Sequence, residues 1–194
     1  MIISHPFAGA TATYLSKSFW NDLSRKEQCL IWITGITSAI VPDLDFFLVP
    51  FLGGAFHHNF VTHTPFFYLT IGLIFALALL YLERIKNCNV VFAERLLIVF
   101  LVNVLLHLLL DVITGHIMLL WPTFDGRFNL IQISEYNWVS NYIHSPAIFG
   151  ELLIIALGII SLFKARKDDS FICSITALTF WFSVAIIMTT LLLL

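Results

Sequence analysis

Charged residues are scarce in this sequence: Asp, Glu, Lys and Arg together make up 11%, against about 25% in an ordinary soluble domain. Twelve acidic and ten basic side chains leave a formal charge of -2, so there is no basic face for nucleic acid. Only three cysteines occur, Cys29, Cys88 and Cys173. They fall in no CxxC or other metal spacing, and their odd number argues against a disulfide framework. The first thirty residues lack the apolar core and small-residue cleavage site of a signal peptide, because His5, Lys17, Asp22, Arg25 and Lys26 interrupt them. Internal repeats, low-complexity tracts and hinge linkers are missing too, so residues 1–194 read as one domain. What fills the chain is apolar: 59% hydrophobic residues and a mean hydropathy of +0.93. Disorder and an ordinary water-soluble enzyme are excluded. This is the composition of an integral membrane protein.

Crossing the hydrocarbon takes about 20 mostly apolar residues. Four segments qualify: Phe66–Leu82 behind Pro65, Leu96–Val112, Ala147–Phe163 and Phe171–Leu194. Two shorter ones, Pro6–Trp20 and Leu30 to Val41, contain small polar residues such as Thr11, Thr13, Thr34 and Thr37. They read as a helical pair that enters the bilayer without two full spans. The expected fold is therefore all-α, a polytopic membrane helix bundle with four full spans plus a short N-terminal helical pair. Threading the segments alternately puts nine of the ten Lys and Arg residues on one face and Arg127 alone on the other. The positive-inside rule makes the first face cytoplasmic. All three cysteines fall toward that reducing side.

The opposite face collects the histidines. On Leu96–Val112, Asn103, His107, Asp111 and Thr114 lie within about 80° of one another at 100° per residue, a single polar seam. A His and an Asp four apart suit a divalent metal, and they equally suit a hydrogen-bonded seam that glues helices. An ionised Asp deep in a membrane helix costs roughly 2.5–3.5 kcal/mol on insertion scales, so it needs a partner or a function. In Val41-Pro42-Asp43-Leu44-Asp45, two carboxylates follow a helix end, where the macrodipole disfavours them unless they hold a cation. In His57-His58-Asn59-Phe60-Val61-Thr62-His63-Thr64-Pro65, His58 and His63 suit a loop closing over a metal. Thr62 and Thr64 could orient its ligands, or Thr64 could simply cap the helix that Pro65 opens. His57 has no distinguishing role. With no Cys in the set, His, Asp and water describe a zinc, manganese or iron site rather than a structural zinc knuckle.

His5, the PDLD turn, His58-xxxx-His63-Thr64 and His107-Leu-Leu-Leu-Asp111 followed by Leu119-Leu120-Trp121-Pro122 resemble the membrane-bound metal-dependent hydrolases of the YdjM type. The resemblance runs from His5 to about Phe124; the remaining third matches only as hydrophobic spans. It implies an inner-membrane hydrolase with a likeness to zinc-dependent phospholipase C, and metal ligands at His5, Asp43, Asp45, His58, His63, His107 and Asp111. The family's basic residue after the first loop histidine is replaced by Asn59.

The segment Gly115 to Ser145 offers substrate contacts instead. Trp121 and Trp138 suit the interfacial belt, and Arg127, in Asp125-Gly126-Arg127, is placed either to clamp a phosphate or to pair with Asp125 or Glu135. Glu151 reads as a helix-dipole partner or a proton-transfer group, while His116 and His144 have no assigned role. The expected activity is hydrolysis of a phosphoester of a lipid or lipid-linked substrate by metal-activated water, with Asp43 or Asp45 accepting its proton. Membrane lipids are the expected partners. The site would face away from the cytoplasm across the inner membrane. A divalent-metal transporter and a non-enzymatic membrane adaptor are the alternatives. Against the transporter, the cytoplasmic half of every span lacks acidic ligands.

Overall fold

The computed structural model describes residues 3–45, 58, 60–133, 137–166 and 171–193. These form seven α-helices: α1 (Ser4–Leu15), α2 (Arg25–Ser38), α3 (Pro65–Lys86), α4 (Val91–Asp111), α5 (Trp138–Ile143), α6 (Ala147–Ala165) and α7 (Phe171–Leu193). Among the described residues there is no strand, only an isolated bridge between Ile117 and Phe128 in the α4–α5 connection. Three helices, α3, α4 and α6, are long and apolar enough to cross a membrane. The fourth expected span differs: α7 runs for 23 residues, but its described side chains give a shorter apolar stretch, Phe171–Val184.

The short pair has different bounds from those expected, for local reasons. α1 stops at Leu15 rather than Trp20, and a 3-10 turn over Lys17–Phe19 follows, where the polar run Ser16-Lys17-Ser18 interrupts the apolar pattern. α2 starts five residues early, at Arg25. A capping box starts it: the Ser24 side chain accepts from the Glu27 N–H, and Glu27 accepts from the Ser24 N–H, satisfying two of the free donors at a helix start.

This pair lies at the centre of the bundle. α1 packs against α2, α4 and α6, and α2 packs against α1, α4 and α7. Helices in lipid gain little from burying apolar area and associate through close van der Waals contact, which small residues allow. A Cβ on Gly9 would stand 2.7 Å from the Gly35 carbonyl oxygen, and one on Gly158 would stand 2.6 Å from Phe7 Cβ. At the basic end, Trp20 and Trp32 meet edge to face at 6.0 Å. Cys29 and Cys173 are joined in a disulfide between α2 and α7, correcting the expectation from their odd count. The bridge spans 144 residues of sequence, so no local spacing announces it. Cys88 is free and exposed.

Gly9 faces backbone, whereas a Cβ on Gly72 would meet only the end of the Leu101 side chain, which can rotate away. Gly9→Ala is therefore expected to cost about 1–3 kcal/mol, as overpacking does, and Gly72→Ala distinctly less. Thermal unfolding of the two variants in detergent checks the order.

Candidate metal centre

The site lies where α1 begins and where α2 and α4 end. α2 closes at Ser38, and residues 41–45 continue as a 3-10 turn. With three residues per turn, Asp43 and Asp45 leave this turn in different directions. They grip the His63 ring from both sides: Asp45 Oδ2 accepts from Nδ1 at 2.8 Å, and Asp43 Oδ1 stands 3.5 Å from Nε2. His63 comes from a 3-10 turn, Val61–His63, just before α3. From α4, His107 Nε2 lies 3.0 Å from Asp111 Oδ2 and 3.5 Å from Asp43 Oδ1. His58 Nε2 lies 3.6 Å from Asp111 Oδ2, and His63 Nε2 lies 3.9 Å from that oxygen. His5, in the first turn of α1, reaches the other oxygen, Asp111 Oδ1, at 3.0 Å, and its ring stacks on His107 with centroids 4.0 Å apart.

All seven residues that the resemblance implies as ligands are thus brought together. Two groups of donor atoms, Asp43–His58–His63–Asp111 and His5–His107–Asp111, each lie within 4.8 Å of one another. The groups share Asp111. Most of this cluster is sealed, with side-chain exposure of 0–3% for His5, Asp45, His63, His107 and Asp111. Asp43 at 34% and His58 at 20% are the accessible members.

The donor set fits a divalent cation. His107 Nδ1 bonds the Ala39 carbonyl at 2.7 Å, and a carbonyl can only accept, so this nitrogen carries the proton. His63 Nδ1 likewise donates to Asp45. In the neutral ring each Nε2 is then a lone pair aimed at carboxylate oxygens, an arrangement that is repulsive without a proton or a cation between them. Two ligands on one ion at about 2.1 Å stand roughly 3.0 Å apart in an octahedron and 3.4 Å in a tetrahedron. The spacings of 3.0 to 3.9 Å lie in or just above that range. The same contacts favour a proton on His63 and charge on Asp43. Burial disfavours charge on His63, but its hydrogen bonds to Asp43 and Asp45 prevail and raise its pKa to about 9. Burial also works against ionised Asp43, yet His107 and His63 hold its carboxyl well below the usual carboxylate range.

The neighbouring residues divide. Thr62 donates its hydroxyl to Asp45 Oδ2, as an orienting residue should. Thr64 does not reach a ligand: its hydroxyl bonds Val61 O at 2.7 Å and accepts from Phe67 N–H at 3.4 Å, capping α3. Asn103 corrects the seam expectation as well, since its amide donates to Val99 O one turn back along α4. Trp121 packs edge-on against Phe66. Arg127 is exposed and pairs with none of the described carboxylates. His116 meets Asn129 and exposed His144 bonds Ser140 O; neither joins the cluster. His57, Asn59, Glu135 and the side chain of Trp138 lie outside the described residues.

Sequence reasoning missed Ala39, whose carbonyl orients His107, and Tyr142, whose hydroxyl donates to Glu151 Oε2. Glu151 itself is buried, and accepts the N–H groups of Ile3 and Ser4 at the start of α1. A backbone carbonyl has no signature in sequence. Tyr142 sits nine residues from Glu151 with a turn between them, outside any helical spacing.

The fold and the site define a class: a helical integral membrane protein with a buried His/Asp centre at one end of the bundle. The model of the YdjM inner membrane protein family matches residues 1–192, and the chain belongs to that family. The match extends through the last third, beyond the Phe124 limit of the motif resemblance. No curated protein and no solved structure matches the chain.

The two threonines separate by experiment. Thr64→Ala removes a helix cap and is expected to cost about 0.5–2 kcal/mol of stability with the centre's metal content unchanged. Thr62→Val takes a donor from buried Asp45 and is expected to lower metal content. Thermal unfolding and elemental analysis of both proteins provide the check.

Proposed function

We propose that the protein is a membrane-embedded, metal-dependent hydrolase that cleaves a phosphoester of a lipid or lipid-linked substrate. The observation carrying this reading is the ordered division of the cluster. Five atoms, His58 Nε2, His63 Nε2, His107 Nε2, Asp43 Oδ1 and Asp111 Oδ2, are linked by spacings of 3.0 to 3.9 Å through the two carboxylates, and each neighbour behind them orients one of the five. Asp45 holds His63, Ala39 holds His107 and His5 holds Asp111. Metal-ligating imidazoles and carboxylates are typically held in this way by a second layer of hydrogen bonds. In this reading His5 and Asp45 orient ligands, and the other five of the seven bind.

The His3Asp2 set suits zinc, manganese or iron. A divalent ion held there supplies Lewis acidity, lowering the pKa of bound water and polarising a phosphoryl oxygen. The protein leaves the Asp43 and His58 side accessible, as a catalytic site requires and a closed structural site does not. Asp43, one-third exposed, is placed to accept the proton of an attacking water. Asp45 sits behind His63, so its part is to hold that ring.

The proposed topology is four spans, α3, α4, α6 and α7, with α1 and α2 as a short central hairpin. Eight of the nine described Lys and Arg residues lie at the end away from the centre, which makes that end cytoplasmic. The Cys29–Cys173 bond pulls the other way, since disulfides persist in oxidising compartments. One bridge weighs less than eight cations. The centre then lies at headgroup depth in the outer leaflet, the level of a lipid phosphoester.

Elemental analysis of the purified protein is expected to find one divalent ion per chain. Asp111→Asn keeps the side chain's shape but loses its charge, so it should fold and lose the ion together with phospholipid hydrolysis. Full metal retention would make α4's seam structural and end this reading. For substrate class, phosphoester in bilayers or mixed micelles is expected to turn over and short soluble analogues to turn over poorly; equal rates would leave a general phosphoesterase. For orientation, Asp125→Cys in the α4–α5 connection should react with an impermeant thiol reagent in intact cells, whereas exposed Cys88 should not. The opposite pattern would invert the topology.

A further inference from the structure

Glu151 is a buried carboxylate (2% exposed) in the second turn of α6, outside the His/Asp cluster. An ionised group at such a depth is costly unless hydrogen-bonded, and Glu151 accepts three bonds. Oε1 accepts the backbone N–H groups of Ile3 and Ser4, the latter at 3.1 Å, and Oε2 accepts the Tyr142 hydroxyl. α1 has no side-chain cap of its own and no acidic residue in its first turn. Its free N–H groups and the positive end of its dipole are therefore met from another helix. The next residue after Ser4 is His5, whose Nε2 bonds Asp111 Oδ1 and whose ring lies on His107.

We propose that Glu151 is a positioning residue of the metal centre, acting through the start of α1 on His5 and through His5 on Asp111. This rests on the reading of the cluster as a metal site. The contacts of Gly9 with Gly35 and of Gly158 with Phe7 set how closely α1 approaches its neighbours. The Glu151 bonds set where α1 begins along its axis, and so the height at which His5 meets Asp111. Tyr142, from the short helix α5, holds the second oxygen and keeps the first turned toward the backbone. One carboxylate thereby ties α1, α5 and α6 together beside the centre.

The test uses the full chain in detergent with Co2+ as the probe, affinity read by chelator competition and ligand geometry by the Co2+ absorption bands. Glu151→Gln keeps the size but loses the charge. It is expected to bind Co2+ about 10-fold or more weakly, the usual effect of losing a group behind a ligand, with altered bands. His5→Gln should show a loss of similar size, and the double variant should be no weaker than His5→Gln alone. Tyr142→Phe keeps the carboxylate and its backbone bonds, so it serves if Glu151→Gln fails to fold: its smaller loss must likewise vanish in the His5→Gln background. Unchanged Co2+ affinity, or losses that add to that of His5→Gln, overturns the proposal and leaves the metal centre standing. Failure of the parent protein to bind Co2+ overturns both.

Discussion

The rest of the structure depends on placing Asp43, Asp45 and Asp111 together at the buried end of a membrane protein. Isolated, each would cost several kilocalories per mole as an ion in low dielectric. α2 and α4 make this worse, since both point their carbonyl ends, the negative ends of their dipoles, at the same spot. Every described ion pair of these carboxylates is with an imidazole. Histidine suits this task because it supplies either a proton or a metal-binding lone pair, and its ring is small enough for four copies to share one site. The helices around the site are arranged to bring those four rings in from three separate stretches of chain.

That demand explains why the least hydrophobic helices sit in the middle. A longer apolar helix in their place would carry its end past the site; α1, at 12 residues, and α2, at 14, place His5 and Asp43 at the level of the α4 terminus. Their small side chains let α1, α2, α4 and α6 approach closely enough for His5 to bond Asp111 across α1 and α4, and for Ala39 to bond His107 across α2 and α4. The polar threonines are absorbed locally. Thr13 bonds Gly9 O at 2.7 Å, and Trp181 donates to Thr37 at 3.0 Å. Hairpin and centre are one construction.

Much of this was legible because membrane helices announce themselves by composition, and because polar residues in them are rare enough to stand out. His107 and Asp111 could be paired from the helical period alone, and the His63 and PDLD segments from their chemistry. What was hidden depended on three dimensions. Thr62 and Thr64 look equivalent in sequence, yet only one faces Asp45, because the 3-10 turn ends between them and Thr64 must cap α3. Asn103 shares a face with His107, but a membrane helix offers its own carbonyls as the nearest partner. The disulfide and the Glu151 bonds to Ile3 and Ser4 join residues more than 140 apart, and no periodicity reports such pairs. Arg127 and Trp121 were selected for what their side chains can do, and the loop holds both away from the described cluster contacts.

The proton inventory bears on the choice between the proposed metal centre and a seam that glues helices. In a gluing seam each acceptor meets a donor and the inventory closes. Here the N–H groups of His63 and His107 are directed outward, to Asp45 and to the Ala39 carbonyl, while both Nε2 atoms face inward to Asp43 and Asp111. Closing the inventory with protons takes one for each Nε2–carboxylate pair, on rings with centroids 5.8 Å apart in a site shielded from water. A divalent ion, as proposed above, would carry the same charge among these oxygens and nitrogens. Metal binding there would release the protons it replaces, so ion and protons would compete for the same atoms. Two lone pairs aimed inward at shared carboxylates are what the proposed exchange of protons for a cation would need.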